Sequence, residues 1–129
     1  MDIKSNRTYK AAQKLLDAGL YTQSIHCWYY TVLQMAKFKL AHCGQKPLSY
    51  EQQMQNNSLS RGSSHDWLLF EICNRLSNKR VKNTFEEDFS FLKEDRVSAD
   101  YRLKDFTQEE AACCKEISER MLANLRYIK

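Results

Sequence analysis

The amino-acid sequence predicts an all-α protein with one domain spanning residues 1–129. Glycine and proline are scarce, at 3 and 1 residues, and no stretch alternates apolar and polar residues as a half-buried strand does. Apolar residues recur instead with the helical period of about 3.6 residues. A chain of this length can bury a sizeable core without disulfides or a metal ion.

The first two helices are predicted from apolar stripes and from the glycines that follow them. A first helix covers residues 4–18, and Gly19 is its natural stop. A second helix runs from a Thr22 cap to about Cys43, where Gly44 ends it. Its inward stripe is expected to comprise Ile25, Tyr29, Val32, Ala36, Leu40 and Cys43. Further large side chains widen this stripe, which predicts that the second helix is the central one.

Residues 45–63 form a long polar segment rich in Gln, Asn and Ser. A connection this long is unusual inside a compact domain, so it is either mobile or shaped by a partner or ligand, with a short helix at 49–55 as an option. A third helix is expected from a cap at Ser63 or Ser64 to about Asn78. The stretch 61–65 suits an anion at the start of this helix, but it also has the composition of an ordinary polar cap.

Two sequences of the capping-box type open the remaining helices. Thr84-Phe-Glu-Glu87 predicts the start of a fourth helix that extends to about Tyr101, and Thr107-Gln-Glu-Glu110 predicts the start of a fifth. In such a box the Thr and Glu side chains satisfy backbone N–H groups that have no partner within the helix. The apolar face of the fifth helix is expected to comprise Cys114, Ile117, Met121, Leu125 and Ile128.

The net charge of +4 conceals an uneven distribution. The run from Arg75 to Lys82 carries four cations, whereas residues 84–100 carry six acidic side chains against two basic ones. The cations suit a solvated connection that complements the end of the preceding helix, and they also suit contact with a phosphate backbone. Charge alone therefore does not predict nucleic-acid binding.

Cellular location is predicted from what the sequence lacks. The N-terminal residues have no apolar core of a secretory signal, and no apolar run approaches the roughly 18–20 residues that span a bilayer. We therefore expect a cytoplasmic protein with no membrane partner. The odd number of cysteines, 5, indicates reduced and partly buried thiols rather than a disulfide framework.

Neither a metal ion nor a cofactor is predicted. His26-Cys27 and His42-Cys43 lie 16 residues apart on one helix, so the two pairs project about 160° apart and cannot converge on one ion. The vicinal pair Cys113-Cys114 diverges by about 100° within a helix, which favours two ordinary thiols over a redox motif. The aromatic run 28–30 is typical of a central helix, although the Tyr30 hydroxyl is expected to reach a partner.

The candidate functional site centres on Arg96. On a helical projection one apolar stripe, within about 40° of a line, comprises Phe85, Phe89, Leu92, Ala99 and Leu103. Arg96 projects into the middle of this stripe, and an unpaired buried charge costs several kcal/mol. Asp100, four residues on, is its nearest local partner. The two residues form either a structural ion pair at a helix or subunit contact, or part of a functional site.

Two stretches of the chain carry a resemblance to a known family. The first runs from Ala12 to Ser24 with a Gly-Leu-Tyr corner at 19–21, and continues through Trp28-Tyr29-Tyr30 to Ala36-Lys37. The second is Arg96-Val-Ser-Ala-Asp-Tyr101. Together they resemble the HEPN domain, a small all-helical family of bacteria and archaea, one branch of which has an Arg-x-x-Ala-Asp-Tyr form. The resemblance covers nearly the whole chain.

The resemblance implies an antiparallel bundle of four to five helices that forms a homodimer. Nuclease branches of the family use an Arg-x(4–6)-His motif at the dimer interface to cleave RNA without a metal ion. Arg96 matches the arginine of this motif, but Tyr101 and the two residues after it stand where the histidine would lie. Tyr has a reference pKa of about 10 and is a poor general base near neutral pH, whereas His is well suited to that role.

Two functions of different classes follow from this resemblance. The first is a HEPN-type interaction module that acts with a partner such as a nucleotidyltransferase-like protein in a defence or toxin–antitoxin-type system. Arg96, Asp100 and Tyr101 would then support the dimer seam or a ligand pocket. The second is a metal-independent ribonuclease toxin in which Arg96 holds phosphate and Asp100 or Tyr101 moves the proton. These three residues are therefore the candidate catalytic residues, and RNA is a candidate partner.

Overall fold

The computed structural model describes residues 2–59 and 64–129, and within these ranges the chain forms helices and no strands. The helices are α1 (Ile3–Asp17), α2 (Tyr21–His42), α3 (Tyr50–Leu59), α4 (Ser64–Cys73), α5 (Lys79–Tyr101) and α6 (Gln108–Leu125). The all-α prediction is confirmed. These described ranges hold six helices rather than four to five, because the polar segment after α2 contains a helix of its own. The expected anion site at 61–65 rests on residues 61–63, which lie outside the described residues.

Helix α2 is the centre of the fold, as its wide apolar stripe predicts. Helices α1, α4, α5 and α6 all pack against it. Every residue of the predicted inward stripe is buried, and so are Trp28, Leu33 and Met35. The Ser118 hydroxyl of α6 donates to the Trp28 carbonyl at 3.0 Å within this core. The central helix therefore presents apolar side chains on most of its circumference.

The predicted apolar faces of α5 and α6 are largely confirmed. All five predicted residues of the last face are buried, and so are the stripe residues Phe85, Phe89 and Leu92 of α5. Leu103 is an error in that stripe, because α5 ends at Tyr101 and the backbone is extended at Arg102. The Leu103 side chain therefore lies beyond the helix and is fully exposed.

Three helix ends have the residue types that such ends favour. Asp2 accepts from the backbone N–H of Lys4 at 2.8 Å and caps α1. The predicted stop at Gly19 is confirmed, since this residue has a φ of 78° that favours glycine. The predicted box at the start of α6 is also confirmed, with reciprocal bonds of 3.2 and 3.1 Å between Thr107 and Glu110.

The predicted start of α5 at the Thr84–Glu87 capping box is wrong. Helix α4 ends at Cys73 rather than near Asn78, and Asn78 instead caps α5. The Asn78 carboxamide oxygen accepts from the backbone N–H groups of Arg80 at 2.9 Å and Val81 at 3.2 Å. Thr84 therefore lies within a helix that has already begun, where its backbone N–H needs no cap.

The predicted start of α2 also needs correction. Thr22 is not a cap, because α2 already includes Tyr21 and the Thr22 hydroxyl accepts from the backbone N–H of Phe106 at 2.9 Å. The predicted end near Cys43 is confirmed, since His42 is the last helical residue and Cys43 is the C-cap. Gly44 follows that end, and its backbone N–H donates to the Lys129 carbonyl at 2.8 Å. Gly19 therefore ends α1 with a positive φ, whereas Gly44 follows the end of α2 and is held by a hydrogen bond to the Lys129 carbonyl.

The basic run 75–82 is a connection only in part, since the segment between α4 and α5 ends at Asn78. Arg75 nevertheless complements the end of α4 as expected, by donating to the Glu71 carbonyl at 2.7 Å. Arg75 donates to the Glu71 carboxylate at 2.9 Å and to the Gln45 and Lys46 carbonyls, so it anchors the segment after α2. The cations at 79, 80 and 82 lie in the first turns of α5. Helix α5 begins among these cations because the Asn78 cap satisfies its first free N–H groups.

The five cysteines are free thiols in different environments. Cys43, Cys73 and Cys114 are buried, Cys27 is partly buried and Cys113 is exposed. Burial raises the pKa of Cys73 to about 12, and it also raises that of Cys114, which contacts the Asp95 carboxylate at 3.2 Å.

Among residues 2–59 and 64–129, no helix is long and apolar enough to cross a bilayer.

Candidate functional site

Arg96 is a buried cation, as its place in the apolar stripe of α5 predicts. The residue is only 8% exposed, and one of its terminal nitrogens lies 3.8 Å from the Asp100 carboxylate. This separation is an ion pair rather than a close hydrogen bond. The Asp100 side chain is 22% exposed, so the pair joins the interior to the surface.

Aromatic rings provide most of the surroundings of the Arg96 guanidinium. Its central carbon lies 5.0 Å from the ring centre of Tyr29, 5.9 Å from that of Tyr30 and 5.8 Å from that of Tyr101. Such cation–π contacts are worth about 0.5–1 kcal/mol each at exposed sites and more where water is excluded. The Arg96 Nε is buried and has no hydrogen-bond partner among the described residues. The cation is thus held by ring faces, with donor capacity left over.

His26 joins the site from the first turns of α2. Its Nδ1 lies 2.8 Å from the Asp100 carboxylate, and its ring lies against Tyr30 with centres 4.5 Å apart. Because a carboxylate oxygen accepts, the Nδ1–H of His26 donates to Asp100, and Nε2 is left for another partner. The His26 side chain is 48% exposed, so this nitrogen belongs to the water-accessible part of the site.

His65 approaches the same aromatic rings from α4. Its Nδ1 lies 2.7 Å from the Tyr29 hydroxyl. Burial lowers the pKa of His65 to about 4, with further lowering by the charges of Arg96, Lys37 and Lys93. Burial raises the pKa of Tyr29 to about 12, although the nearby Arg96 acts in the opposite direction. At neutral pH the phenol therefore donates and the neutral imidazole accepts.

Tyr101 forms the exposed edge of the site. A straight helix places it about 140° around the axis from Arg96, but it is the last residue of α5 and its ring still reaches the guanidinium. The residue is 75% exposed. Fully exposed Leu103 follows two residues later. The buried cation is therefore bordered by a surface that presents apolar side chains to solvent.

The structure thus brings the three predicted site residues together and adds four others. We name this group the Arg96 cluster; it comprises His26, Tyr29, Tyr30, His65, Arg96, Asp100 and Tyr101. The four additions come from α2 and α4, so they are not neighbours of Arg96 in sequence. The i,i+4 spacing of His26 and Tyr30 was a usable signal, because it places an imidazole and a phenol on one face of α2.

The Arg96 cluster combines groups that can bind an anion and groups that can move a proton. Arg96 supplies a fixed positive charge with unspent donor capacity, and the His26–Asp100 pair supplies an oriented imidazole. The parts of the chain described by the structure contain no group of three or more His, Cys, Asp or Glu side chains that could hold a metal ion. The side chains of the Arg96 cluster can therefore act as an acid, as a base and as a cation that binds an anion.

No protein-family model, curated protein or solved structure matches this chain. Function is therefore inferred from the side chains of the Arg96 cluster and from the resemblance of the two sequence stretches described above.

Proposed function

We propose that the protein is a HEPN-type helical interaction module that acts as a homodimer, with the Arg96 cluster at the subunit seam. The observation that carries this proposal is the position of a nearly buried Arg96 against exposed Tyr101, with fully exposed Leu103 two residues further along the chain. Centres of protein interfaces are enriched in Arg and aromatic residues, and their energy is concentrated in such residues. A second surface over these side chains would remove their apolar area from water.

A second subunit would strengthen the contacts that hold Arg96. Covering Tyr101 removes water from one side of the guanidinium, and electrostatic attraction grows as the local dielectric constant falls. A two-fold axis close to α5 would bring two such cations near each other, and each Asp100 carboxylate offsets that repulsion. The cluster therefore suits a symmetric interface better than it suits open solvent.

Light scattering after size-exclusion chromatography at tens of micromolar tests the homodimer. We expect the mass of two chains for the native protein and of one chain for the double variant Tyr101→Ala, Leu103→Glu. Tyr127→Ala, which removes an exposed tyrosine outside the cluster, is the matched control and should remain dimeric. A native protein that is monomeric under these conditions contradicts the proposal.

The partner and the cellular setting rest on the resemblance. We propose that this module is cytoplasmic and pairs with a nucleotidyltransferase-like protein in a defence or toxin–antitoxin-type system. Co-expression with the product of an adjoining gene of that class, followed by purification through a tag on one chain only, tests the pairing. Recovery of the tagged chain alone would count against this partner but would leave the homodimer unaffected.

A specific observation favours metal-independent RNA cleavage as a second candidate function. The His26–Asp100 pair places an oriented imidazole beside Arg96, although the sequence motif lacks its histidine. His26 suits the proton role better than Asp100 or Tyr101, because imidazole is the group most often used for general acid–base catalysis. In this reaction Nε2 takes the proton of the ribose 2′-hydroxyl, the 2′-oxygen attacks phosphorus as the bond from phosphorus to the 5′-oxygen breaks, and the 5′-oxygen takes a proton from the His26 imidazolium. Arg96 neutralises charge on the phosphate oxygens.

Incubation of the purified protein with single-stranded RNA in EDTA tests this second candidate. Cleavage should leave 2′,3′-cyclic phosphate ends and should fall at least about 100-fold in His26→Ala, the usual scale of general acid–base catalysis. His42→Ala is the matched control, because His42 is another exposed histidine of α2 outside the cluster. Cleavage that survives both His26→Ala and Arg96→Ala would exclude the cluster as its source.

A further inference from the structure

A cavity of about 570 Å³ lies beside the N-terminal part of α1, between α2 and α3. Its walls include the basic side chains Lys4 and Lys37 and the aromatic rings of Tyr30 and Tyr50. Cavities of about 300–1,000 Å³ are of the size that holds small molecules. Only Tyr30 belongs also to the Arg96 cluster, so this cavity is a separate feature of the molecule.

Two lysine ammonium groups of the cavity form no salt bridge in the described part of the chain. Neither Lys4 nor Lys37 forms a salt bridge with any residue in the described ranges. Burial lowers the pKa of Lys37, and the positive charge of Lys4 lowers it further. The carboxylate on the same wall, Asp2, is already engaged by the backbone N–H of Lys4 and by the Ser5 hydroxyl. An anion placed between the two lysines would relieve their repulsion.

The remaining walls are suited to an apolar body. Leu33 and Tyr30 line the inner side, whereas Tyr50 and Met54 of α3 are 51% and 73% exposed at the outer side. Helix α3 is tied to α2 because the Gln53 amide donates to the Lys37 carbonyl at 3.1 Å. The outer wall is thus fixed in place while its apolar side chains stay uncovered.

A further polar group on the wall has donor capacity available. The Gln34 carboxamide oxygen accepts from the Thr8 hydroxyl at 2.6 Å, which fixes the orientation of the amide and leaves its N–H groups for other acceptors. Together with the two ammonium groups, the cavity presents donors on one side and apolar surface on the other. A ligand with one charged end and an apolar remainder therefore fits this arrangement of donors and apolar surface.

We propose that this cavity binds a small molecule that carries one anionic group, a carboxylate or a phosphate monoester, on a flat apolar body. The anionic group lies between Lys4 and Lys37, and the apolar body lies against Tyr30, Tyr50 and Met54. The proposal requires neither a dimer nor RNA cleavage, and Tyr30 is the one wall residue that also contacts Arg96 and His26.

Isothermal titration of the full chain with phenyl phosphate, benzoate and uncharged phenol tests the proposal. We expect phenyl phosphate or benzoate, or both, to bind, and we expect phenol to bind at least about tenfold more weakly, since charged hydrogen bonds are the strong ones. Binding of phenyl phosphate alone identifies a phosphate ligand, and binding of benzoate alone identifies a carboxylate ligand. No binding of either anion at millimolar concentration overturns the proposal, as does equal binding of phenol.

Substitutions locate the bound anion. Lys37→Gln should weaken binding about tenfold or more, whereas Lys37→Arg, which keeps the charge and guards against a folding defect, should retain most of it. Lys10→Gln removes an exposed cation of α1 outside the cavity and is the matched control. Equal losses in Lys10→Gln, or no loss in Lys37→Gln, would place the anion elsewhere and overturn the proposal.

Discussion

At the scale of the residue, Arg96 shows how a charge is kept inside a small helical protein. A buried guanidinium without compensation costs several kcal/mol, and a carboxylate at 3.8 Å offsets only part of that cost. The faces of Tyr29, Tyr30 and Tyr101 supply additional attraction without using the N–H donors. The arginine is therefore stabilised in the folded chain while it keeps hydrogen-bonding capacity for another group.

This division of roles predicts different effects for two substitutions of Arg96. Arg96→Ala should lower the free energy of unfolding by about 2 kcal/mol, because both the packed aliphatic stem and the cation–π contacts are lost. Arg96→Met keeps a stem of similar length and removes the cost of burying a charge, so it should lose about 1 kcal/mol or less. Urea unfolding followed by circular dichroism measures both values. A methionine variant as unstable as the alanine variant would contradict this assignment.

The lowered pKa of His65 predicts that the protein loses stability in mild acid. Its pKa is about 4 in the folded chain and near 6.5 when unfolded, so the unfolded chain takes up the proton first as the pH falls. Stability from this group is complete above pH 6.5 and declines between about pH 6.5 and 4. Because the side chain is partly exposed, solvent screening reduces the effect to about 1 kcal/mol. Unfolding of His65→Gln should depend less on pH in this window, and an unchanged slope would refute the assignment.

At the scale of the element, apolar periodicity predicted the helix faces better than polar residues predicted the helix ends. The α2 and α6 faces are correct because burial follows the 3.6-residue period over several turns. Thr84 matched a capping pattern by chance, because Asn78 had already capped the helix and Val81 is the one apolar residue of its first turn. Helix α3 had a signal in Ser49, because the pair Ser49 and Gln52 forms a capping box. The Ser49 hydroxyl accepts from the Gln52 backbone N–H at 3.2 Å, and the Gln52 carboxamide oxygen accepts from the Ser49 backbone N–H at 2.8 Å.

The two competing starts of α5 predict opposite results. Asn78→Ala should lower the free energy of unfolding by about 1 kcal/mol, because two backbone N–H groups lose their acceptor. Thr84→Ala should change it by less than about 0.5 kcal/mol, since its backbone N–H is already bonded within the helix and Ala is a better helix former. Thermal and urea unfolding of the two variants measure the difference. If Thr84→Ala lowers the free energy of unfolding more than Asn78→Ala does, the helix begins at Thr84 instead.

The candidate site was predictable only where it lies on one helix. Arg96 and Asp100 are four residues apart, so their ion pair follows from helical geometry alone. His26 and His65 reach the same site through the packing of α5 and α4 against α2, and single-sequence patterns do not specify such packing. The sequence has no histidine in the expected positions after Arg96, and the two histidines near Arg96 come instead from α2 and α4.

At the scale of the whole molecule, the buried side chains form one core cluster to which α1, α2, α4, α5 and α6 all contribute. A core shared in this way favours cooperative unfolding, because no helix can leave without exposing the faces of others. Trp28 is fully buried in α2 and reports on this core. In a Trp67→Phe variant, its fluorescence should therefore change in the same transition as the far-ultraviolet circular dichroism. Two separate transitions would show that the chain contains more than one folding unit.

The uneven burial of the thiols has a practical consequence for labelling. Cys113 is the exposed cysteine of the chain, whereas Cys27 is partly buried and has a pKa raised by burial and by Asp100. A maleimide dye at neutral pH should thus attach to one position on the native protein, and mass spectrometry should find one adduct per chain. Denaturant should release four more reactive sulfurs. The chain therefore supplies its own attachment point for a reporter on α6, without an engineered cysteine.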